Sequence, residues 1–405
     1  MNLADGTQVD TDYLALGGEH ITAFAGLNGP GTSSDAMGLS LADVSLALSL
    51  FSPKADQEEL AGIKWTALKA TAGEFDILGI PDFTLSGDLI TVEINTVSGV
   101  STGDPNSKVI DFSTANLDVI TGPDSFMTFD MSGADGQLIQ ASGNLEIGVS
   151  EFFYVQGGFS FEKHNQTFTL ADGTTVNTGL LSIGANDVNG FTGINGSSDN
   201  PYAMGISLSN VDFGIALISP RANQDDVEGM KWISVKASAN EFDVLGIPGL
   251  QLAGDRISVE INRVFGADPE DEYQKVIDFS TDHLTVNTGP QSEILLDMPG
   301  AKGQFIQASG NLEVIVSNYF SITGGFAFEK YRNTLSLALP TWLPKQYLMT
   351  FRRKFHPFRM HKPVSMKNKP SPSFLNLIPM VRLPWLWESK FQILFPLQDQ
   401  IPTHK

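Results

Sequence analysis

Residues 3–163 return as residues 170–330 at a constant offset of 167, without a gap and with about half of the aligned positions identical. Shared composition does not produce such a register, so whatever this chain folds into must be buildable twice, end to end. Leu3-Ala4-Asp5-Gly6-Thr7 reappears as Leu170-Ala171-Asp172-Gly173-Thr174, and Val109-Ile110-Asp111-Phe112-Ser113-Thr114 as Val276-Ile277-Asp278-Phe279-Ser280-Thr281. Function therefore has to be sought in the recurring unit and not in a unique site.

The repeat sets the domain frame: a first unit over 1–169, a second over 170–338, and a remainder over 339–405. Met1-Asn2-Leu3 stands where the second copy has Phe168-Thr169-Leu170, so the chain reads as starting inside a unit. After Ala338 the expected Asp-Gly-Thr is replaced by Leu339-Pro340-Thr341-Trp342, and the composition changes at once. Residues 339–405 hold 11 Lys or Arg against 2 acidic residues, 10 of the 21 prolines and no glycine. A shift of reading frame within a third copy gives such a break in mid-motif; a fused basic tail is the alternative. Ten prolines without period deny the segment regular structure, so it is expected to be disordered and without an evolved role. Its apolar clusters, such as 391–395, favour aggregation.

Residues 1–338 carry 44 acidic against 14 basic side chains, which excludes a nucleic-acid partner as the natural reading. There is no cysteine, hence no disulfide and no thiolate metal site. No stretch reaches the roughly 18 apolar residues of a membrane helix, and no signal peptide is visible at the N-terminus.

Period two dominates. Ile90, Val92 and Ile94 alternate with Thr91, Glu93 and Asn95, and the second copy repeats this with Ile257, Val259 and Ile261. That is a strand with one apolar face. Candidate strands in the first unit are 39–50, 63–71, 83–86, 89–97, 108–120, 137–149 and 152–162, followed by 179–183. Gly87-Asp88, Gly254-Asp255, Ser142-Gly143-Asn144 and Gly157-Gly158 read as turns between them. The one helical candidate is 53–62, repeated at 220–229, with proline at its start, acids in its first turns and glycine at its end. The fold class is all-β and elongated. It is either a continuous antiparallel sheet or solenoid, or two tandem β-sandwich domains, with a boundary conceivable in the polar loop 98–107. A membrane barrel fits less well, because it closes on a fixed strand count and this pattern is open-ended.

Catalytic chemistry finds little support. His20 aligns with Asp187, His164 with Tyr331 and His283 with Asn116, so no histidine recurs and a histidine triad or cluster is disfavoured. Recurrent acids are Glu74 and Asp76 with Glu241 and Asp243, Asp111 with Asp278, Asp130 with Asp297, and Glu162 with Glu329. A carboxylate pair could serve a polysaccharide-acting enzyme, but solvated or turn-capping side chains are the ordinary reading. Calcium is the one cofactor the composition suggests, through oxygen-rich loops at 28–35, 186–200 and 266–272, with Asp187, Asp199, Asp268 and Asp271 as ligand candidates. Turn chemistry explains the same residues, and no EF-hand or nonapeptide calcium repeat is present. Trp65 and Trp232 occupy equivalent positions and are candidates for stacking on a sugar; as members of an alternating face with Ile63 and Ala67, they read first as core.

Ala36-Met37-Gly38-Leu39-Ser40-Leu41 through Val44 to Leu50, with Gly62-Ile63-Lys64-Trp65 and Gly79-Ile80-Pro81, resembles the β-strand repeats of very large bacterial surface or secreted proteins of the adhesin-like kind. The resemblance implies an extracellular or cell-surface location and a non-enzymatic structural or adhesive function. A tandem calcium- or carbohydrate-binding module is the alternative. Unpaired strand edges at the ends of such an array are expected to make the chain self-associate.

Overall fold

The computed structural model describes residues 1–331 apart from 101–103, 197–199, 222–223 and 269–273 and the side chain of Glu59; residues 332–405, and with them the proline-rich segment 339–405, lie outside the description. Among the described residues there is no α-helix, and the fold is all-β. The first repeat contributes β1 (Thr11–Leu27), β2 (Met37–Pro53), β3 (Lys64–Leu78), β4 (Phe83–Ser98), β5 (Leu117–Gly122), β6 (Ser125–Phe129), β7 (Leu138–Val149) and β8 (Phe153–Thr169). The second contributes β9 (Thr175–Ile194), β10 (Met204–Pro220), β11 (Lys231–Leu245), β12 (Leu250–Phe265), β13 (Leu284–Gly289), β14 (Ser292–Leu296), β15 (Phe305–Val316) and β16 (Phe320–Tyr331).

Twelve of these strands form one antiparallel sheet in the order β1-β2-β3-β4-β7-β8-β9-β10-β11-β12-β15-β16, with β1 and β16 at its edges. The sheet is open. It crosses the repeat boundary without interruption: β8 pairs with β9 from Phe153 opposite Thr192 to Thr169 opposite Thr175. The arrangement is thus the continuous antiparallel sheet and not two sandwiches.

In each repeat the chain leaves the sheet once, between β4 and β7 and again between β12 and β15, and folds back over one face as a two-stranded hairpin, β5–β6 or β13–β14. These inserts create the core. Under the first, Leu3, Phe51, Trp65, Val109, Ile110, Phe112, Phe129 and Met131 are buried; under the second lie their equivalents Leu170, Ile218, Trp232, Val276, Ile277, Phe279, Leu296 and Met298. Each unit has its own apolar cluster, strung on a shared sheet.

Polar groups pin each insert down. The Trp65 indole donates to the Lys108 carbonyl and the Trp232 indole to that of Lys275, both at 2.6 Å. The buried Asn95 and Asn262 amides donate to the carbonyls of Ile110 and Ile277 at 2.7 and 2.8 Å. The Lys108 ammonium pairs with Asp5 at 2.5 Å and that of Lys275 with Asp172 at 2.8 Å. Buried carbonyls left without such donors would be costly.

Several sequence expectations are corrected. Residues 53–62 and 220–229 form no helix: one 3-10 turn, Glu58–Leu60 or Asp225–Val227, stands there, with no side-chain cap at Gln57 or Gln224. Gly87-Asp88 and Gly254-Asp255 are no hairpin turns but lie inside β4 and β12, and 83–86 and 89–97 are one strand. Ser142-Gly143-Asn144 and Gly157-Gly158 are likewise internal to β7 and β8. Of 108–120, only the end belongs to a strand; Val109, Ile110 and Phe112 plug the core from a loop.

What replaces the expected turns is a row of mid-strand irregularities. Register shifts fall between Gly18 and Ala23 in β1, between Asp88 and Thr91 in β4, between Gln156 and Gly158 in β8, and between Asp255 and Ser258 in β12. His20, Asp43, Leu89, Asp187, Asn210 and Arg256 have φ of 48 to 53° there. A bulge bends a strand and resets which face its side chains take.

Candidate functional site

The bulge row divides the long strands into an insert end, covered on its front face by a hairpin, and a free end that no hairpin covers, where only loop residues such as Gly196 pack on Phe191. Directly paired residues share a face, so the registers map each one. At the free end the front face is apolar: Leu39 and Leu41, Phe75 and Ile77, Leu85, Leu145 and Ile147, and Val155 stand side by side. These are half-buried by their lateral neighbours and by nothing above them. The back face of the same end is acidic and polar, with Glu74, Asp76, Ser86, Asp88 and Glu146.

At the insert end the polarity inverts. The back face there carries Leu46 and Leu48, Leu68, Val92 and Ile94, Ile139 and Phe161, again uncovered. The second repeat restates both bands, with Ile206, Leu208, Phe242 and Val244 on the front and Phe213, Ile215, Val235 and Ile261 on the back. Ile206 and Leu208 are 46 and 43% exposed. Contiguous uncovered apolar area of this kind is a contact surface. Sequence reasoning missed both bands, although a signal was present: Met37, Leu39 and Leu41 of β2 fall on odd numbers, and Val44, Leu46, Leu48 and Leu50 on even ones.

The sugar-stacking candidates lie elsewhere. Trp65 and Trp232 are 1 and 0% exposed, deep under the inserts, and offer no ring face to a ligand. They are core, as their alternation with Ile63 and Ala67 indicates.

The recurrent acids hold structure together. Asp111 Oδ1 accepts from the Ser113 hydroxyl at 2.6 Å and from the backbone N–H of Gly133 at 2.9 Å, and Asp278 repeats this with Ser280 and Gly300 at 2.7 and 2.8 Å. Partial burial raises both carboxyls, but these hydrogen bonds outweigh it and hold them below the ordinary carboxylate value. Asp130 and Asp297 receive the ammonium groups of Lys69 and Lys236, at 2.9 and 2.7 Å, tying each insert to β3 or β11. Glu162 lies 2.9 Å from His164 Nδ1 and accepts from Asn287 at 3.1 Å. Burial of His164 lowers its pKa and the Glu162 contact raises it, with a net rise. Glu74 and Glu241 are exposed on the back of an open sheet, each followed at two residues by Asp76 or Asp243. The shallow concavities at 317–321 and along Ser52 to Lys64 contain none of these acids.

Of the calcium candidates, Asp187 sits at the β9 bulge. Its N–H donates to Asp212 at 2.9 Å, and its carboxylate accepts from the Asn210 amide at 3.2 Å. Asp268 is exposed beyond the end of β12 and is not brought to it. Asp199 and Asp271 lie outside the described residues. Among the described residues, no three His, Asp or Glu side chains converge as a metal site would require. Elsewhere in the row, Asp88 receives the Asn144 amide at 2.7 Å, Asp255 that of Asn311 at 2.6 Å, and His20 meets Asp43 at 2.6 Å. Asp and Asn tolerate left-handed backbone and satisfy the amides a bulge releases, and that accounts for their enrichment here.

No helix among the described residues is long and apolar enough to cross a membrane. Comparison of the chain with protein-family models, with curated sequences and with solved structures finds no match.

Proposed function

We propose that the chain is a non-enzymatic structural and adhesive repeat segment of a large bacterial extracellular or cell-surface protein. The observation that carries this reading is the sheet that runs unbroken from one repeat into the next, each repeat presenting the same uncovered apolar bands. Such a scaffold multiplies one weak contact along its length, and linked contacts gain avidity without any new chemistry. An excess of acidic side chains keeps neighbouring scaffolds soluble and apart.

Adsorption of the full chain on methyl-terminated and carboxyl-terminated monolayers tests the proposal. Retention on the methyl surface is expected, and Phe75→Lys with Phe242→Lys should abolish it while leaving the circular dichroism of the sheet unchanged. Equal adsorption of wild type and variant would sink the adhesive reading. Calcium is the control: an unfolding midpoint several degrees higher in calcium than in chelator would favour an ion-dependent binding module instead.

A further inference from the structure

The seam between the repeats shows what the two edges of the sheet are built to meet. β8, the last sheet strand of the first repeat, pairs there with β9, the first of the second. At the constant offset of 167, β16 is the equivalent of β8, and β1 is the equivalent of β9. Among the described residues, β16 pairs only with β15 and β1 only with β2. The molecule therefore carries both halves of its own internal seam, one at each edge.

We infer that the β16 edge of one copy adds to the β1 edge of a second copy, antiparallel and in the register of β8 on β9. Phe161 opposite Ile183 then becomes Phe328 opposite Leu16, Val155 opposite Gly190 becomes Ile322 opposite Ala23, and His164 opposite Leu180 becomes Tyr331 opposite Tyr13. The contact is head-to-tail and so generates an open string of copies, not a closed dimer.

Three observations support this partner over any other. The first is strongly exposed apolar area along both edges: Tyr13, Leu14 and Leu16 are 53, 68 and 61% exposed, and Phe328 and Tyr331 are 57 and 58%. Leu180, the equivalent of Tyr13, is 1% exposed where the seam is made.

The second is a pair of glycines. At the internal seam Gly157 and Gly158 admit no side chain: a Cβ would stand 2.8 Å from Val188 Cγ2 in one case and 2.2 Å from Asn186 Oδ1, with the Gly289 backbone at 3.4 Å, in the other. Their equivalents in β16, Gly324 and Gly325, are also glycine, yet a Cβ at Gly324 would meet nothing within 4 Å and one at Gly325 only Asn311 Oδ1 at 3.6 Å. The crowding that makes the first pair necessary is absent from the second until a neighbouring β1, with its Gly122 overhead, is in place.

The third is the insert. In the second repeat β13 reaches across the seam, where Asn287 donates to Glu162 and Ser292 to Asn186 at 2.7 Å. In the first repeat Ile120 takes the place of Asn287; its backbone lies over Gly17 of β1, and its residue is 76% exposed, with no strand equivalent to β8 paired beside β1 among the described residues.

The full chain settles the matter in light scattering at rising concentration and at high salt, which screens its negative charge. The mass should climb through multiples of the chain. Gly324→Val should leave the unfolding midpoint equal or higher, since valine suits an open strand, and should hold the protein as a monomer. As the chain has no cysteine, register is read by mixing single variants under oxidation. Leu16→Cys with Phe328→Cys should give a cross-linked dimer, and Leu16→Cys with Ile322→Cys should not. A monomer at every concentration, an assembly unaffected by Gly324→Val, or efficient cross-linking of Leu16→Cys to itself would each overturn the inference.

Discussion

The two ends of β3 are made of similar residues and have different fates. At the insert end Trp65 and Ala67 are each 1% exposed. At the free end Phe75 and Ile77 point to the same face of the same strand and remain half-buried, because no second layer covers them. A single-layer sheet is stabilised only by lateral contacts and its hydrogen-bond ladder, and a second layer adds the dry core. The comparison teaches that folding free energy is concentrated under the two hairpins, while the apolar surface left for partners is concentrated beyond them.

The largest test of that division is a pair of truncations. Trp65→Ala empties a packed core site and strips the Lys108 carbonyl of its donor, so a loss of about 3–5 kcal/mol is expected. Phe75→Ala removes a ring that is only laterally packed and should cost about 1 kcal/mol. Urea unfolding measures both; equal costs would mean that the free end has a covering layer after all. Hydrogen exchange sharpens the result, since the first repeat should lose protection in Trp65→Ala while the second, with its separate cluster around Trp232, keeps it.

The insert end should also be the acid-sensitive end. Asp111 and Asp278 are held below the ordinary carboxylate value by the hydrogen bonds that fix their loops. Asp5 and Asp172 are depressed as well, burial opposing and the bonds from Lys108 and Lys275 prevailing. A depressed folded pKa contributes stability that is present above the unfolded carboxylate value and disappears as pH falls through the folded one. The unfolding midpoint should therefore drop below about pH 4. The gap between wild type and the double variant Asp111→Asn, Asp278→Asn should narrow over the same range; a constant gap down to pH 2 would show that these carboxylates keep their charge without contributing to the fold.

How much of this could be read from the sequence follows the same division. Ile90, Val92 and Ile94 gave β4 its strand, since alternation reports a face whether or not that face is covered. Trp65 and Trp232 were recognisable as core from their apolar alternating neighbours. The insert was illegible because Val109, Ile110 and Phe112 imitate a strand while plugging the core from a loop, with Asp111 turning the backbone between them. Residues 53–62 carry helix start and stop residues, yet Pro53 still belongs to β2 and only Glu58–Leu60 takes a 3-10 turn. The apolar bands went unseen for a different reason: a mid-strand bulge and a hairpin turn use the same residues, so Gly87-Asp88 looked like the end of a strand that runs on through it, with only its pairing to β7 shifted.

The bulge row offers the finest test. Asp43, Asp187 and Asn210 adopt left-handed backbone at little cost, but Leu89 and Arg256 do so at the equivalent point of β4 and β12, with φ of 52 and 51°. Leu89 is 58% exposed, so little burial is lost on replacing it. Leu89→Asn should stabilise by about 0.5–1 kcal/mol by relieving the clash of Cβ with the backbone. Val92→Asn, three residues on along the same strand and outside the left-handed region, should destabilise instead. Opposite signs at the two positions, measured by urea unfolding, would fix the bulge as a site where backbone conformation and not burial dictates the residue. Two losses would mean that Leu89 contributes more to the back face than its exposure indicates.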